Sequence, residues 1–209
     1  MSLVVTSLLV AGGVLLGRWI ARGSKPTEDP KTPEGEAAAP KTGGAAVTLA
    51  DPFEGFPCRL GDVLLRTGGD EAWLAGALVF SEGETVSALF VAPEAGKDIA
   101  IYVRPRPAQD LHWLSPIDAP TLAVMAEPPT SLEHLGTRFE RQRRVPLRAQ
   151  RLGTGAPDVG GEVIVAEYTS GTERMIVVAG SGTSRGWRGT SLEEGMYEVI
   201  PSGKSTLEE

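Results

Sequence analysis

Residues 162–179 read EVIVAEYTSGTERMIVVA, and this stretch decides the fold. Two runs rich in β-branched residues, EVIVAEY from Glu162 and RMIVVA from Arg174, flank the polar loop TSGT with its single glycine. Such a pair reads as a β-hairpin. In the first run Val163 and Val165 fall on one face and Ile164, Ala166 and Tyr168 on the other, the period-two alternation of a strand.

The same pattern recurs on either side. DVLLR from Asp62, AWLAGALVF from Ala72, TVSALFVA from Thr85, DIAIYVR from Asp98, TLAVMA from Thr121, VPLRAQRL from Val145 and MYEVI from Met196 are short apolar runs. TGGD, SEGE, PEAGK, GTGAPDVGG and GSGTSRG separate them with turn chemistry. This predicts an antiparallel all-β domain over residues 51–203, with a short C-terminal tail at 204–209. AWLAGALVF is apolar on both faces, which predicts a central strand covered on both sides and suits a closed barrel or a two-layer sandwich. TSLEHLG from Thr130 reads as a short helical turn capped by Thr130 or Ser131. With 26 glycines and 16 prolines in 209 residues, a helical bundle is excluded.

Two unlike segments precede this domain. Met1 to Gly17 carries no charged side chain and the apolar run continues through Trp19 and Ile20. About 20 such residues make roughly 30 Å of helix, enough to cross a hydrocarbon core. The expectation is a single-pass transmembrane anchor at 1–22, embedded through residues 3–20. Arg18, Arg22 and Lys25 follow the run rather than precede it. That order argues against a cleaved signal peptide and places the C-terminal side in the cytoplasm, at a bacterial inner membrane. Gly13 and Gly17 share one face at G-x-x-x-G spacing, a candidate for helix pairing, although glycine is common in membrane helices. Residues 23–50, interrupted by Pro26, Pro30, Pro33 and Pro40, read as a disordered linker.

The chain has 27 acidic and 20 basic side chains and a net charge of −7; residues 51–209 alone carry −8. One cysteine cannot form an internal disulfide, and two histidines with one cysteine give no metal-ligand set, so neither metal nor cofactor is expected. Cys58 lies beside Arg59, which would favour a reactive thiolate, but a buried structural thiol is the commoner fate. Asp110 and His112, in AQDLHWLSP, would share a strand face as a carboxylate–imidazole pair. They are the candidate catalytic residues, with no nucleophile named by any motif and a structural histidine as the competing reading. His134, beside Glu133, carries the same two readings.

RFERQRRVPLRAQR holds Arg138, Arg141, Arg143, Arg144, Arg148 and Arg151 against Glu140 alone. Such a basic strip can meet phosphates, lipid head groups or an acidic protein. Equally, these are outward strand arginines paired with the domain's many carboxylates, each pair worth little. Nucleic acid is disfavoured by the charge of −8 and by the lack of aromatics between the arginines. In GSGTSRGWRG, residues 180–189, the third glycine of G-x-G-x-x-G would fall at Arg185, so hairpin glycines are the better reading. Trp187, between Arg185 and Arg188, is either an exposed contact residue or core.

From about Phe56 to Ser202 the chain resembles the bacterial family called domain of unknown function 4178. The resemblance rests on LGDVL, GALVFSEG, LHWLSP, LGTRFERQRR, VAEYTSGTERMIVVAGSGTSRGWRG and YEVIPSG, in that order and spacing. It implies an all-β domain of bacterial proteins, some membrane-associated, with no assigned reaction and no functional residues to carry over. Together these readings predict a membrane-tethered, non-catalytic adaptor that holds a protein partner near the bilayer. The alternative is an enzyme or small-ligand-binding β-barrel using Asp110 and His112 in a pocket.

Overall fold

The hairpin at 162–179 forms and becomes part of a closed barrel. The computed structural model describes residues 51–94, 97–118, 122 and 127–202. In chain order the strands are β1 (Val63–Arg66), β2 (Glu71–Trp73), β3 (Gly76–Glu82), β4 (Glu84–Glu94), β5 (Lys97–Val103) and β6 (Leu111–Ile117). Then come β7 (Ser131–His134), β8 (Thr137–Gly153), β9 (Glu162–Ser170), β10 (Glu173–Ala179), β11 (Ser184–Leu192) and β12 (Tyr197–Ile200). Strands pair in the order β3-β4-β5-β6-β11-β10-β9-β8, and β3 pairs with β8, which closes an eight-stranded antiparallel barrel. β7 adds to the free part of β8, and β12-β1-β2 form a separate three-stranded sheet.

Closure explains the hydrophobic pattern. One apolar cluster draws Leu78, Leu89, Tyr102, Leu114, Leu147, Val165, Ile176 and Trp187 from all eight barrel strands, so it fills the interior. A second cluster lies outside, where Val79, Phe90, Ile101 and Trp113 of β3–β6 meet Leu64, Ala72, Phe53 and Cys58. Phe53 packs on Phe90 at 5.1 Å between ring centroids. A third joins Phe139, Ala166, Tyr168, Met175 and Val177 with Leu122 on the outer face of β9 and β10. GALVF is therefore apolar on both faces because both are covered, one by the interior and one by the small sheet.

Asp62 ties the small sheet together. Its carboxylate is buried and accepts hydrogen bonds from Arg59 N at 2.7 Å and Ser202 N at 2.8 Å. Asp62→Ala leaves both donors without their acceptor and is expected to cost about 1–3 kcal/mol in chemical denaturation. A loss below about 0.5 kcal/mol, the usual size of a surface change, would contradict this role.

Several expectations are corrected. AWLAGALVF is two strands, broken at Leu74 and Ala75, with β2 in the small sheet and β3 in the barrel. TSLEHLG is not a helical turn. Ser131–His134 is β7, and Leu135 and Gly136, with φ of 51° and 73°, make the tight turn into β8. Positive φ at both central residues is the geometry that fits a two-residue hairpin to twisted strands. In TLAVMA only Leu122 is described, and it is helical. Residues 184–189, read as part of a glycine loop, belong to β11. A Cβ on Gly189 would lie 2.0 Å from the carbonyl oxygen of Trp113 on the neighbouring strand. That glycine is required by close strand approach rather than by a turn.

The membrane expectations are corrected as well. The span at 1–22 (residues 3–20), its Gly13 and Gly17, the linker at 23–50 and the tail from 204 lie outside the described residues. Among the described residues no helix is long and apolar enough to cross a membrane. A helical span needs about 20 consecutive apolar residues. The longest described element, β8, is instead a 17-residue strand that carries the arginine run. The all-β architecture is that of the described residues. The single-pass, inner-membrane and membrane-partner readings find no span among the described residues and are withdrawn.

Candidate functional site

Strand register assembles a polar site at one mouth of the barrel. On β6, His112 lies opposite Tyr102 of β5 on one side and Ser191 of β11 on the other. Directly opposed side chains on one face are close neighbours. Ser191 Oγ accordingly lies 3.0 Å from His112 Nδ1, and the Tyr102 ring stacks on the imidazole at 5.9 Å between centroids.

On β9, Glu167 continues the inward face of Val163 and Val165, so a carboxylate projects inward at the end of the apolar interior. It accepts a 2.8 Å hydrogen bond from Tyr102 Oη and a 3.2 Å bond from Arg143 on β8. β5 and β9 stand on opposite walls of the eight-strand order, so the Tyr102–Glu167 bond spans the barrel. Above this layer a cavity of about 290 Å³ is lined by Arg104, Asp110, His112, Gln142, Glu167, Tyr168, Thr169, Arg174, Ile176 and Ser191.

A one-residue irregularity shapes its rim. Arg141 pairs with Tyr168 and Arg143 with Glu167, which leaves Gln142 as the extra residue. A bulge of this kind bends its strand and re-aims side chains. Here Gln142 enters the cavity lining and Arg143 reaches Glu167.

Electrostatics keep the imidazole neutral. His112 is buried, and burial pushes its pKa down to about 4. The nearby Arg174 and Arg104 guanidinia push the same way, while Glu167 opposes them. At neutral pH the ring therefore offers one donor and one acceptor rather than a charge.

The two sequence candidates meet at this cavity but do not pair with each other. Asp110, just before β6, forms an ion pair with Arg104, just after β5. His112 takes Ser191 instead. The spacing of Asp110 and His112 was visible in the sequence, but their partners come from other strands.

The arginine run does not form one strip. Arg143 belongs to the mouth. Arg141 donates to the carbonyl of Pro128, Arg138 pairs with Glu140 at 2.6 Å, and Arg144 pairs with Glu127 at 3.0 Å. Arg148 is exposed, and Arg151 stands 4.0 Å from Asp158. Trp187 is buried in the barrel interior and lines a second cavity, of about 170 Å³, at the far end of the barrel.

Arg188 points outward, where it donates to His134 Nδ1 and the His134 carbonyl, both at 3.2 Å, to Thr137, and at 2.8 Å to both oxygens of Glu173. It also covers the Phe139 ring. His134 is thus part of a structural staple between β11 and the β7–β8 hairpin. Its pKa is lowered by desolvation and by Arg188.

Cys58 is buried, and burial, with Asp62 adding to it, pushes its thiol up to about 12. A thiol-labelling reagent is expected to leave native protein unmodified and to react stoichiometrically after denaturation. Rapid labelling of native protein would contradict the burial.

Sequence reasoning missed Glu167, Arg174 and Ser191. Glu167 did leave a signal: a carboxylate in period-two register with Val163 and Val165. Surface clefts of 530 and 540 Å³ exist elsewhere, and one of about 500 Å³ adjoins the mouth and shares Arg174 and Ser191 with it, but none has a buried ionisable side chain in its lining. Among the described residues no group of three or more His, Cys, Asp or Glu side chains could hold a metal ion. Compared with family models, curated proteins and solved structures, the chain matches none.

Proposed function

We propose that the domain is a small-ligand-binding β-barrel and that the polar mouth is its site. The observation that supports this best is the buried, neutral His112 in the cavity wall, held by Ser191 and Tyr102 among convergent charged groups. A concave site with a few converging polar groups and a perturbed ionisable residue is the usual form of a ligand pocket. This reading replaces the tethered adaptor. That role relied on a membrane span, a linker and the lack of a catalytic set, and among the described residues no helix is long and apolar enough to cross a membrane.

The Ser191–His112 contact also has the form of a hydroxyl beside a base. Acyl transfer would need a third group to orient the imidazole. Glu167, the nearest candidate, is engaged by Tyr102 and Arg143 instead. Binding is therefore favoured over catalysis.

A thermal-shift screen of small polar compounds tests the reading. Ligands of the mouth are expected to raise the melting temperature of the native protein and to lose most of that effect in Ser191→Ala, which removes only a hydroxyl. If no compound stabilises the protein, or if every hit acts equally on Ser191→Ala, the mouth is not the site.

A further inference from the structure

Three guanidinium groups and two carboxylates surround the mouth. Arg104 is paired with Asp110, and Arg143 with Glu167. Arg174 has no ion pair among the described residues. Its NH1 donates only to neutral oxygens: Thr169 Oγ1 at 2.7 Å, the Gly171 carbonyl at 2.9 Å and the Glu173 carbonyl at 3.0 Å. The adjacent carboxylate, Glu173, gives both oxygens to Arg188 on the outer face. On the opposite side of the mouth the buried Arg104 Nε has no hydrogen-bond partner. The lining itself holds Arg104, Asp110, Glu167 and Arg174. Arg143, outside the lining, neutralises Glu167. With His112 uncharged and Asp110 matched to Arg104, the Arg174 charge is the one left unmatched.

An unmatched cation in a partly desolvated cavity is costly, and an anion bound beside it offsets that cost. From this charge balance and geometry we propose that the ligand is a small monoanionic carboxylate bearing hydroxyl groups, its carboxylate held by Arg174 and Arg104. This rests on the ligand-binding reading above. A guanidinium matches a carboxylate in two parallel hydrogen bonds. One unmatched charge fits a monoanion, because a phosphate dianion would set excess negative charge beside Asp110 and Glu167. Hydroxyls suit the rest of the lining, where Gln142, Thr169 and Ser191 supply neutral donors and acceptors. A mouth of about 290 Å³, which shares Arg174 and Ser191 with a neighbouring cleft of about 500 Å³, has room for a ligand the size of a hydroxy acid or a sugar acid.

The test uses matched probes in chemical-shift titrations of the native protein: L-lactate against lactamide, D-glucuronate against D-glucose, and inorganic phosphate. At least one carboxylate is expected to bind at the mouth about tenfold or more tighter than its neutral counterpart, and tighter than phosphate. Arg174→Gln is expected to remove that preference. The wild-type comparison stands by itself if this variant folds poorly, which its melting curve would show. Equal binding of charged and neutral probes, or tighter binding of phosphate, overturns the monoanion inference and leaves the ligand-binding reading intact. Binding of none of the probes, together with an empty thermal-shift screen, overturns both.

Discussion

Replacing Glu167 with alanine is expected to cost about 3 kcal/mol of stability. The carboxylate is the point where three barrel strands meet, and its side chain is only 14% exposed. Its loss leaves Tyr102 Oη buried without its acceptor and leaves Arg143 unpaired. The value sits at the lower end of the range for breaking a buried pair because 34% of the Arg143 side chain remains exposed. For a domain of this size the melting temperature should fall by roughly 6–12 °C. Glu167→Gln keeps an acceptor for Tyr102 and loses the charge, so it should cost about half as much. A loss under about 1 kcal/mol for the alanine variant would mean that the barrel-spanning bond is not holding the two walls together.

The second large effect is a pH dependence. His112 titrates near 4 in the folded protein against an ordinary value of 6.5. Because the folded value is the lower, the unfolded chain takes up a proton first as pH falls. Stability contributed by the neutral ring is fully present above 6.5 and is lost between about 6.5 and 4. The difference corresponds to about 3 kcal/mol. The non-titrating variant His112→Asn should lack this component, so the stability gap between it and the native protein should shift by about that amount across the window. Acidic groups titrating in the same range act on both proteins and cancel in the comparison. Parallel stability profiles for the two proteins would contradict a buried, neutral His112.

Much of the barrel could be read from local pattern. Alternation within EVIVAEY and the polar loop TSGT specify a hairpin without help from the rest of the chain. The two-sided apolarity of GALVF is legible because coverage on both faces leaves no polar positions. What stayed hidden depends on non-local contacts. The arginine run reads either as one basic strip or as arginines paired with carboxylates, and sequence does not choose, because neither the extra residue at Gln142 nor the destinations of alternate side chains leave a local signal. The residues of 184–189 read as a loop because glycine in sequence signals a turn. Gly189 is instead in a strand, where the backbone of β6 leaves no room for a Cβ. Leu135 carries a positive φ that an apolar side chain does not advertise.

The site divides in the same way. Asp110 and His112 stand out by spacing alone. Ser191, 79 residues from His112 in sequence, becomes its neighbour only when β6 pairs with β11. Glu167 and Tyr102, 65 residues apart, meet only because the barrel closes. Closure gives His112 the partner Ser191 in place of the Asp110 that spacing suggests, and makes it one member of a polar mouth.

The most direct test of the central claim is a backbone amide chemical-shift map of the native protein with a compound that stabilises it. Perturbed amides are expected to group at Arg104, His112, Thr169, Arg174 and Ser191, which lie on separate strands or loops and converge only at the mouth. Perturbations confined to the far-end cavity around Trp187, or scattered over the exposed face of β8, would contradict the claim.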